Sequence, residues 1–262
     1  TSTRRQEICV KACIQNVNTN GRAKVRFRIL DGVDAVKEHT FDSFEVEAGK
    51  ALELEYLEKW TDPELWSPEN PHLYSIQVEI LVDDCVVDCY ETKFGFREFW
   101  IEGHKFYLNG TRINLRTDSW HYQGFVQQNK KYALNWYKAC RDMGCNAIRL
   151  HAMPYPELYL EAADEFGMLI IDESAIYGSG KAFRADHPVF IENCHKHLVS
   201  LVLRDRNHPS VINWSMQNEM RWIEGRDGYK VAMKELVRTM KALDDTRPIS
   251  FDGDNRLVDP ED

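Results

Sequence analysis

Arg204-Asp-Arg-Asn-His-Pro-Ser-Val-Ile-Asn-Trp-Ser-Met-Gln-Asn-Glu219 is a polar, turn-forming segment followed by an apolar run that ends on two polar residues. Val211 to Trp214 reads as a short buried strand, and the run carries Asn218 and Glu219 to its end. The same rhythm repeats outward from this point. Upstream stand Ile113-Asn-Leu-Arg116, a helical stretch through Tyr132, Trp136, Ala139 and Met143, the strand Ala147-Ile-Arg-Leu150, a helix from Pro156 to Phe166, the run Met168-Leu-Ile-Ile171, and a helix from Phe190 to Leu203. Downstream come a helix from Tyr229 to Leu243 and the strand Pro248-Ile-Ser-Phe251. Short apolar strands alternating with helices predict a parallel sheet covered by helices, here with five strands.

Ahead of this pattern the period changes. Ile8, Val10, Ala12 and Ile14 alternate with Cys9, Lys11, Cys13 and Gln15, and Val25, Phe27 and Ile29 alternate with Lys24, Arg26 and Arg28. That alternation marks half-buried antiparallel strands, and turn-rich breaks at 16–21, 31–32, 48–49 and 82–84 space them as in a small β-sandwich. Residues 52–60 read as a strand plus loop. The expected organisation is a β-sandwich over 1–98 and a β/α domain over 99–262. A complete (β/α)8 barrel needs eight strands and about 250 residues. Five strands therefore read as an incomplete barrel, and the chain as the middle of a longer protein.

The chain has 262 residues, 43% of them apolar and 11% aromatic, which supplies a sizeable core. Its net charge is -9 with the basic residues dispersed, which argues against nucleic acid as a partner. No apolar run reaches the roughly 18 residues of a spanning helix, so no membrane insertion is expected. The expectation is a soluble protein, cytoplasmic, periplasmic or secreted, and a homo-oligomer is compatible with the sequence. Seven cysteines include the pairs Cys9/Cys13 and Cys85/Cys89, whose thiols on a strand lie about 13 Å apart. Buried, reduced thiols are expected, with a disulfide between the two pairs as the alternative. No HxxxH or CxxC spacing is present, and neither a metal nor a cofactor is expected.

In parallel β/α architectures the reactive groups gather at the C-terminal ends of the strands. Those ends carry Asp118 and His121, Arg149 and His151, Asp172 and Glu173, Asn218 and Glu219, and Asp252 and Asp254. Carboxylates, imidazoles and an arginine around one rim suit a neutral polar ligand such as a sugar, whose hydroxyls need donors and acceptors. Glycoside cleavage needs two carboxyl groups, one to protonate the leaving oxygen and one to act as nucleophile or base. Glu219 is the candidate acid/base. Asn218 beside it is placed to hold a sugar hydroxyl.

The segment Arg204 to Glu219 resembles the acid/base signature of glycoside hydrolase family 2, in which Arg-Asp-Arg-Asn-His-Pro-Ser precedes a Trp-Ser-X-X-Asn-Glu strand. Gln217 departs from it, standing where the family usually has Gly. Trp66-Ser-Pro-Glu-Asn-Pro-His-Leu-Tyr74 and Gly95-Phe-Arg97 are similar to landmarks of the immunoglobulin-like domain that precedes the family's TIM barrel. The resemblance implies an immunoglobulin-like sandwich followed by part of a (β/α)8 barrel, with a retaining two-carboxylate mechanism and a carbohydrate substrate. It implies Glu219 as acid/base, Asn218 on the sugar 2-hydroxyl, His121 on sugar hydroxyls and Arg149 orienting a catalytic carboxylate. His151, Glu173, Asp118 and Trp120 join the substrate side, Trp120 as a stacking platform and Glu173 as a ligand of sugar or cation. The family's nucleophile is a Glu on a later strand, beyond residue 262. β-Galactosidase is the first expectation and β-glucuronidase the second. A non-catalytic carbohydrate-binding derivative is a third reading, and an inverting hydrolase using Asp252 or Asp254 as base a fourth.

Overall fold

The computed structural model describes residues 1–17, 19–120, 124–178, 184–220 and 223–252, apart from the side chains of Trp120 and Asp252. The chain divides into two compact units, Thr1–Trp66 with His72–Glu98, and Ser67–Pro71 with Phe99–Asp262.

The first unit is an antiparallel β-sandwich. Strands β1 (Glu7–Gln15) and β5 (Ala51–Lys59) form one sheet. The other has the order β3 (Asp34–Thr40), β2 (Gly21–Asp31), β6 (Tyr74–Val82), β7 (Cys85–Phe94), with β4 (Phe44–Val46) also pairing with β2. Residues 52–60 thus lie mostly within one continuous strand. Ile8 and Val10 meet Val25, Phe27, Ile29, Tyr74, Ile76 and Phe94 between the sheets, as strict alternation requires. Arg26 and Arg28 project from the opposite face of β2, where Arg26 pairs with Glu79 at 2.6 Å.

The cysteine expectation is corrected. All seven thiols are free, yet Cys9, Cys13, Cys85 and Cys89 are exposed rather than buried. Ile8 and Val10 hold the inner face of β1, so the intervening odd positions face solvent. The two pairs cannot bridge as neighbours either, because β1 pairs with β5 and β7 with β6.

The second unit opens with an antiparallel meander, β8 (Phe99–Glu102), β9 (Lys105–Leu108) and β10 (Thr111–Ile113). Asn109 and Gly110, both with positive φ, form the two-residue turn between β9 and β10. Five parallel strands follow in sequential order, β11 (Thr117–Trp120), β12 (Ala147–Leu150), β13 (Leu169–Glu173), β14 (Val211–Asn218) and β15 (Ile249–Asp252). Helices α1 (Lys130–Asp142), α2 (Glu157–Phe166), α3 (Pro188–Asp205) and α4 (Arg226–Leu243) connect them, making a partial α/β barrel. The first parallel strand therefore begins at Thr117; residues 111–113 belong to the meander.

Local chemistry sets the helix ends. Asn129 caps α1 by accepting the Tyr132 N–H at 2.8 Å. Gly167 closes α2 in the left-handed conformation, φ 79°, against the Pro68 carbonyl, where a side chain would collide. On α1, Ala133, Trp136, Tyr137 and Cys140 repeat at helical spacing and bury one face against Ile148 and Leu150. β14 is buried on both faces along its whole length, as a central parallel strand should be.

Glu98 ties the start of the first unit to its end. Its carboxylate accepts from Ser2 and Thr3 hydroxyls, the Arg4 N–H and the Arg4 guanidinium, at 2.6 to 3.1 Å. Burial pushes its pKa up, but the bonds from Arg4 and Thr3 outweigh burial and bring it from the ordinary 4.5 to about 2. The folded value lies below the unfolded one, so this stabilisation is complete above pH 4.5 and is lost as pH falls toward about 2. Glu98→Gln is expected to cost about 2 kcal/mol at pH 7 in urea unfolding and to flatten the acid limb of the stability curve. Equal acid sensitivity in both proteins counts against this role.

Candidate active site

Arg149, in β12 and half-buried, and Glu173, at the end of β13 and fully buried, form a bidentate ion pair. Arg149 Nε donates to Glu173 Oε2 and Nη2 to Oε1, both at 2.8 Å. Glu173 has no exposed surface, and two further donors complete it: the Ala152 N–H on Oε1 and the Ser215 hydroxyl on Oε2, each at 2.5 Å. Four donors on two oxygens fill the capacity of an ionised carboxylate. Ala152 reaches its place with φ 58°, a left-handed conformation uncommon for a residue with a Cβ. Glu173 is thereby a fixed anchor, with its acceptors taken by the protein.

Arg149 Nη2 also donates to Asn218 Oδ1 at 2.6 Å. Ser215 and Asn218 are three residues apart and in a regular strand would face opposite sides. Between them the pairing with β15 takes up an extra residue, Ser215 opposite Ser250 and Asn218 opposite Asp252. This bulge brings Asn218 round to the side of Ser215 and Arg149. The Asn218 Nδ2 is buried and has no hydrogen-bond partner among the described residues. Glu219 follows at once, with φ 49°, half-buried and without a hydrogen bond to any described group.

The polar segment ahead of β14 anchors it. Arg204 makes a bidentate pair with the buried Asp205 at 2.6 and 2.7 Å and donates to the Tyr155 carbonyl. His208 Nδ1 meets Asp164 Oδ2 at 2.6 Å, and Asp164 Oδ1 accepts the Ser210 N–H. Burial pushes His208 down, yet the bond and charge of Asp164 prevail and raise its pKa. Arg247, beyond α4, spends all five donors here, on the carbonyls of Val211, Arg206 and His208, on Asp244 and on the Thr246 hydroxyl. Asp244 also accepts from Trp214 Nε1 at 2.9 Å. Burial works against its charge, but Arg247 and Thr246 hold its carboxyl far below the usual range.

Of the residues singled out from the sequence, Arg149, Glu173 and Asn218 are brought together, with Glu219 next in the chain. His151 is half-buried in the turn after β12. Asp118 stands apart. It lies inside β11 rather than beyond it, and its Oδ2 accepts from Cys140 on α1 at 3.7 Å, the helix side of the sheet. Burial and Asp118 together push the Cys140 thiol up to about 11. Asp172 also faces the helices, where burial and the neighbouring Asp205 carboxylate push its pKa well up. His121, Asp254 and the side chains of Trp120 and Asp252 lie outside the described residues. Ser215, Ala152 and Arg247 were not anticipated; Ser215 had a signal, since it shares a strand face with Asn213.

Residues 94–261 match the model of the TIM barrel domain of glycosyl hydrolases family 2, and residues 2–97 match a further model of the same family. A β-glucuronidase of Streptococcus agalactiae is 31% identical over 84% of this chain and 39% of its own length. A β-galactosidase of Bacteroides ovatus is 28% identical over 90% of this chain and 32% of its own. The crystal structure of a family 2 member from Bacteroides cellulosilyticus superposes with a TM-score of 0.85 at 29% identity, covering 97% of this chain and 33% of that one. The chain thus spans about a third of the length of these relatives.

Because Glu173 is fully buried and fully bonded, replacing it removes the bidentate acceptor of the half-buried Arg149. Glu173→Gln is expected to destabilise the second unit by about 3 kcal/mol in chemical denaturation. A loss below about 1 kcal/mol, the scale of an exposed pair, would show that water replaces the carboxylate.

Proposed function

The chain belongs to glycosyl hydrolase family 2, and on that premise we propose that it carries the acid/base half of a retaining β-glycosidase site. Glu219 protonates the leaving glycosidic oxygen and later deprotonates the incoming water. Asn218 Nδ2 donates to the sugar 2-hydroxyl, while Arg149 holds Oδ1 and prevents the amide from turning over. Glu173 fixes Arg149 in turn and does not touch substrate.

One observation carries this reading. A buried amide N–H₂ without a partner is costly in a folded protein, and here it stands beside a carboxylate that no described group engages. A hydroxyl of the ligand supplies the missing acceptor. Among the described side chains, Glu219 is the strand-end carboxylate left available, since Glu173 is saturated and Asp118 and Asp172 face the helices. The nucleophile is therefore a carboxylate outside the described set, about 5 to 5.5 Å from Glu219 for retention.

The first choice of substrate is a terminal β-galactoside. A β-glucuronide is the second reading, favoured by the relative from Streptococcus agalactiae. Comparing kcat/KM for the 4-nitrophenyl derivatives of both sugars in the full-length protein decides between them, and turnover of neither would favour a binding role. Glu219→Gln is expected to slow hydrolysis of glycosides with poor leaving groups by about 10²- to 10⁴-fold. Dinitrophenyl glycosides, which need little protonation, should lose far less, and equal losses would remove Glu219 from the acid role.

A further inference from the structure

We infer that His197, on α3, is a positioning residue for the Asn218–Glu219 pair, acting through a hydrogen bond from the Ala175 N–H to its Nε2. The inference rests on the reading of Glu219 as acid/base.

After β13 the chain does not leave its neighbour. The Ser174 N–H donates to the Ser215 carbonyl at 3.0 Å, and the Ser174 hydroxyl donates to the Met216 carbonyl at 2.6 Å. The same hydroxyl accepts the Ile176 N–H, and the Ile176 carbonyl accepts the Asn218 N–H at 2.8 Å. Tyr177 then bridges to Asn218. Residues 174–177 thus continue the pairing of β13 with β14 as far as the proposed reacting residues. They do so beside the stretch where the bulge interrupts the ladder on the β15 side, so this segment fixes the register of Asn218 on the β13 side.

Ala175 is exposed, and its N–H donates to His197 Nε2 at 2.9 Å. A backbone N–H donates only to a ring nitrogen with a free lone pair, so His197 carries its hydrogen on Nδ1. Burial, and then the charge of Arg204 on the same helix, lowers the pKa of the ring and keeps that lone pair available. Asn218 is accordingly held at two points by separate devices, its side chain by Arg149 and its backbone by a segment latched to α3. The latch contacts no substrate. Its effect is on where Asn218 and Glu219 stand.

A displacement of about 1 Å at a reacting group can cost about 10²-fold in rate. His197→Phe keeps the ring volume and removes the acceptor. In the full-length protein it is expected to lower kcat by about 10- to 100-fold while KM changes by less than about threefold, because the Arg149–Asn218 contact remains. His197→Gln places an amide oxygen near the position of Nε2 and is expected to restore kcat to within about threefold of wild type. Hydrogen exchange by mass spectrometry over 174–178 should be faster in the Phe variant and near wild type in the Gln variant. This readout tests the hydrogen bond whether or not Glu219 is the acid, and Glu219→Gln should leave it unchanged. Unchanged exchange in His197→Phe overturns the inference. Equal loss of kcat in the Phe and Gln variants also overturns it, since that reports packing alone.

Discussion

A carboxylate with no exposed surface must be matched bond for bond, and Glu173 is the group from which the order of this site follows. Burying an ionised carboxyl is costly by several kcal/mol unless charge and hydrogen bonds replace the lost water. Glu173 recovers them from Arg149, Ser215 and the backbone of Ala152, which come from β12, β14 and the turn after β12. β12 with the turn that follows it, β13 and β14 are thus fixed relative to one another by one side chain. The second hydrogen of Arg149 Nη2 then reaches Asn218, so the orientation of the Asn218 amide depends on the Arg149–Glu173 pair.

The segment ahead of β14 solves a related problem. α3 ends at Asp205 and β14 starts at Val211, and the partly buried backbone between them carries the carbonyls of Arg206 and His208. Unpaired buried carbonyls carry a penalty. Arg247 removes it by donating to Val211, Arg206 and His208 together, and Asp244 balances its charge. The family signature read from the sequence is in this sense two signatures. Arg204 to Ser210 is a structural joint; Asn218 and Glu219 are what the joint presents.

Period and turn chemistry made the architecture legible. Alternation over residues 8–15 and 24–29 marked the sandwich, and the apolar strands with helices between them marked the parallel sheet. The meander of β8 to β10 was overlooked although Asn109-Gly110 is a strong hairpin signal; its strands are three or four residues long, too short for alternation to register. A first parallel strand read at residues 113–116 stands four residues upstream of β11 and places Asp118 beyond its end, whereas Asp118 lies within β11 on the helix side. The grouping of Arg149, Glu173 and Asn218 was legible as a rim of polar strand ends. Which of them keeps a hydrogen-bonding group unused by the described residues and which is consumed internally was not, because that depends on hydrogen-bond saturation and on a bulge, and neither leaves a mark in residue spacing. The exposed cysteines show the same limit: pairing partners across a sheet decide burial, and pairing is a long-range property.

The contrast between Glu173 and Glu219 has a physical logic. A carboxyl group that must give up and regain a proton in each cycle cannot be bonded at four points, since each donor to the anion resists protonation. Glu173 has those donors, and its acceptor positions are taken by the protein. Glu219 has none among the described groups, and it sits in a left-handed backbone conformation that a side chain rarely adopts. Such a conformation persists only where the surroundings impose it, and here the imposing elements are the bulge in β14, the Arg149 contact to Asn218 and the paired segment 174–177. The bonds that hold this stretch are made by Asn218, the residue before Glu219, through its side chain to Arg149 and its backbone to Ile176, and leave the carboxylate of Glu219 free of described partners.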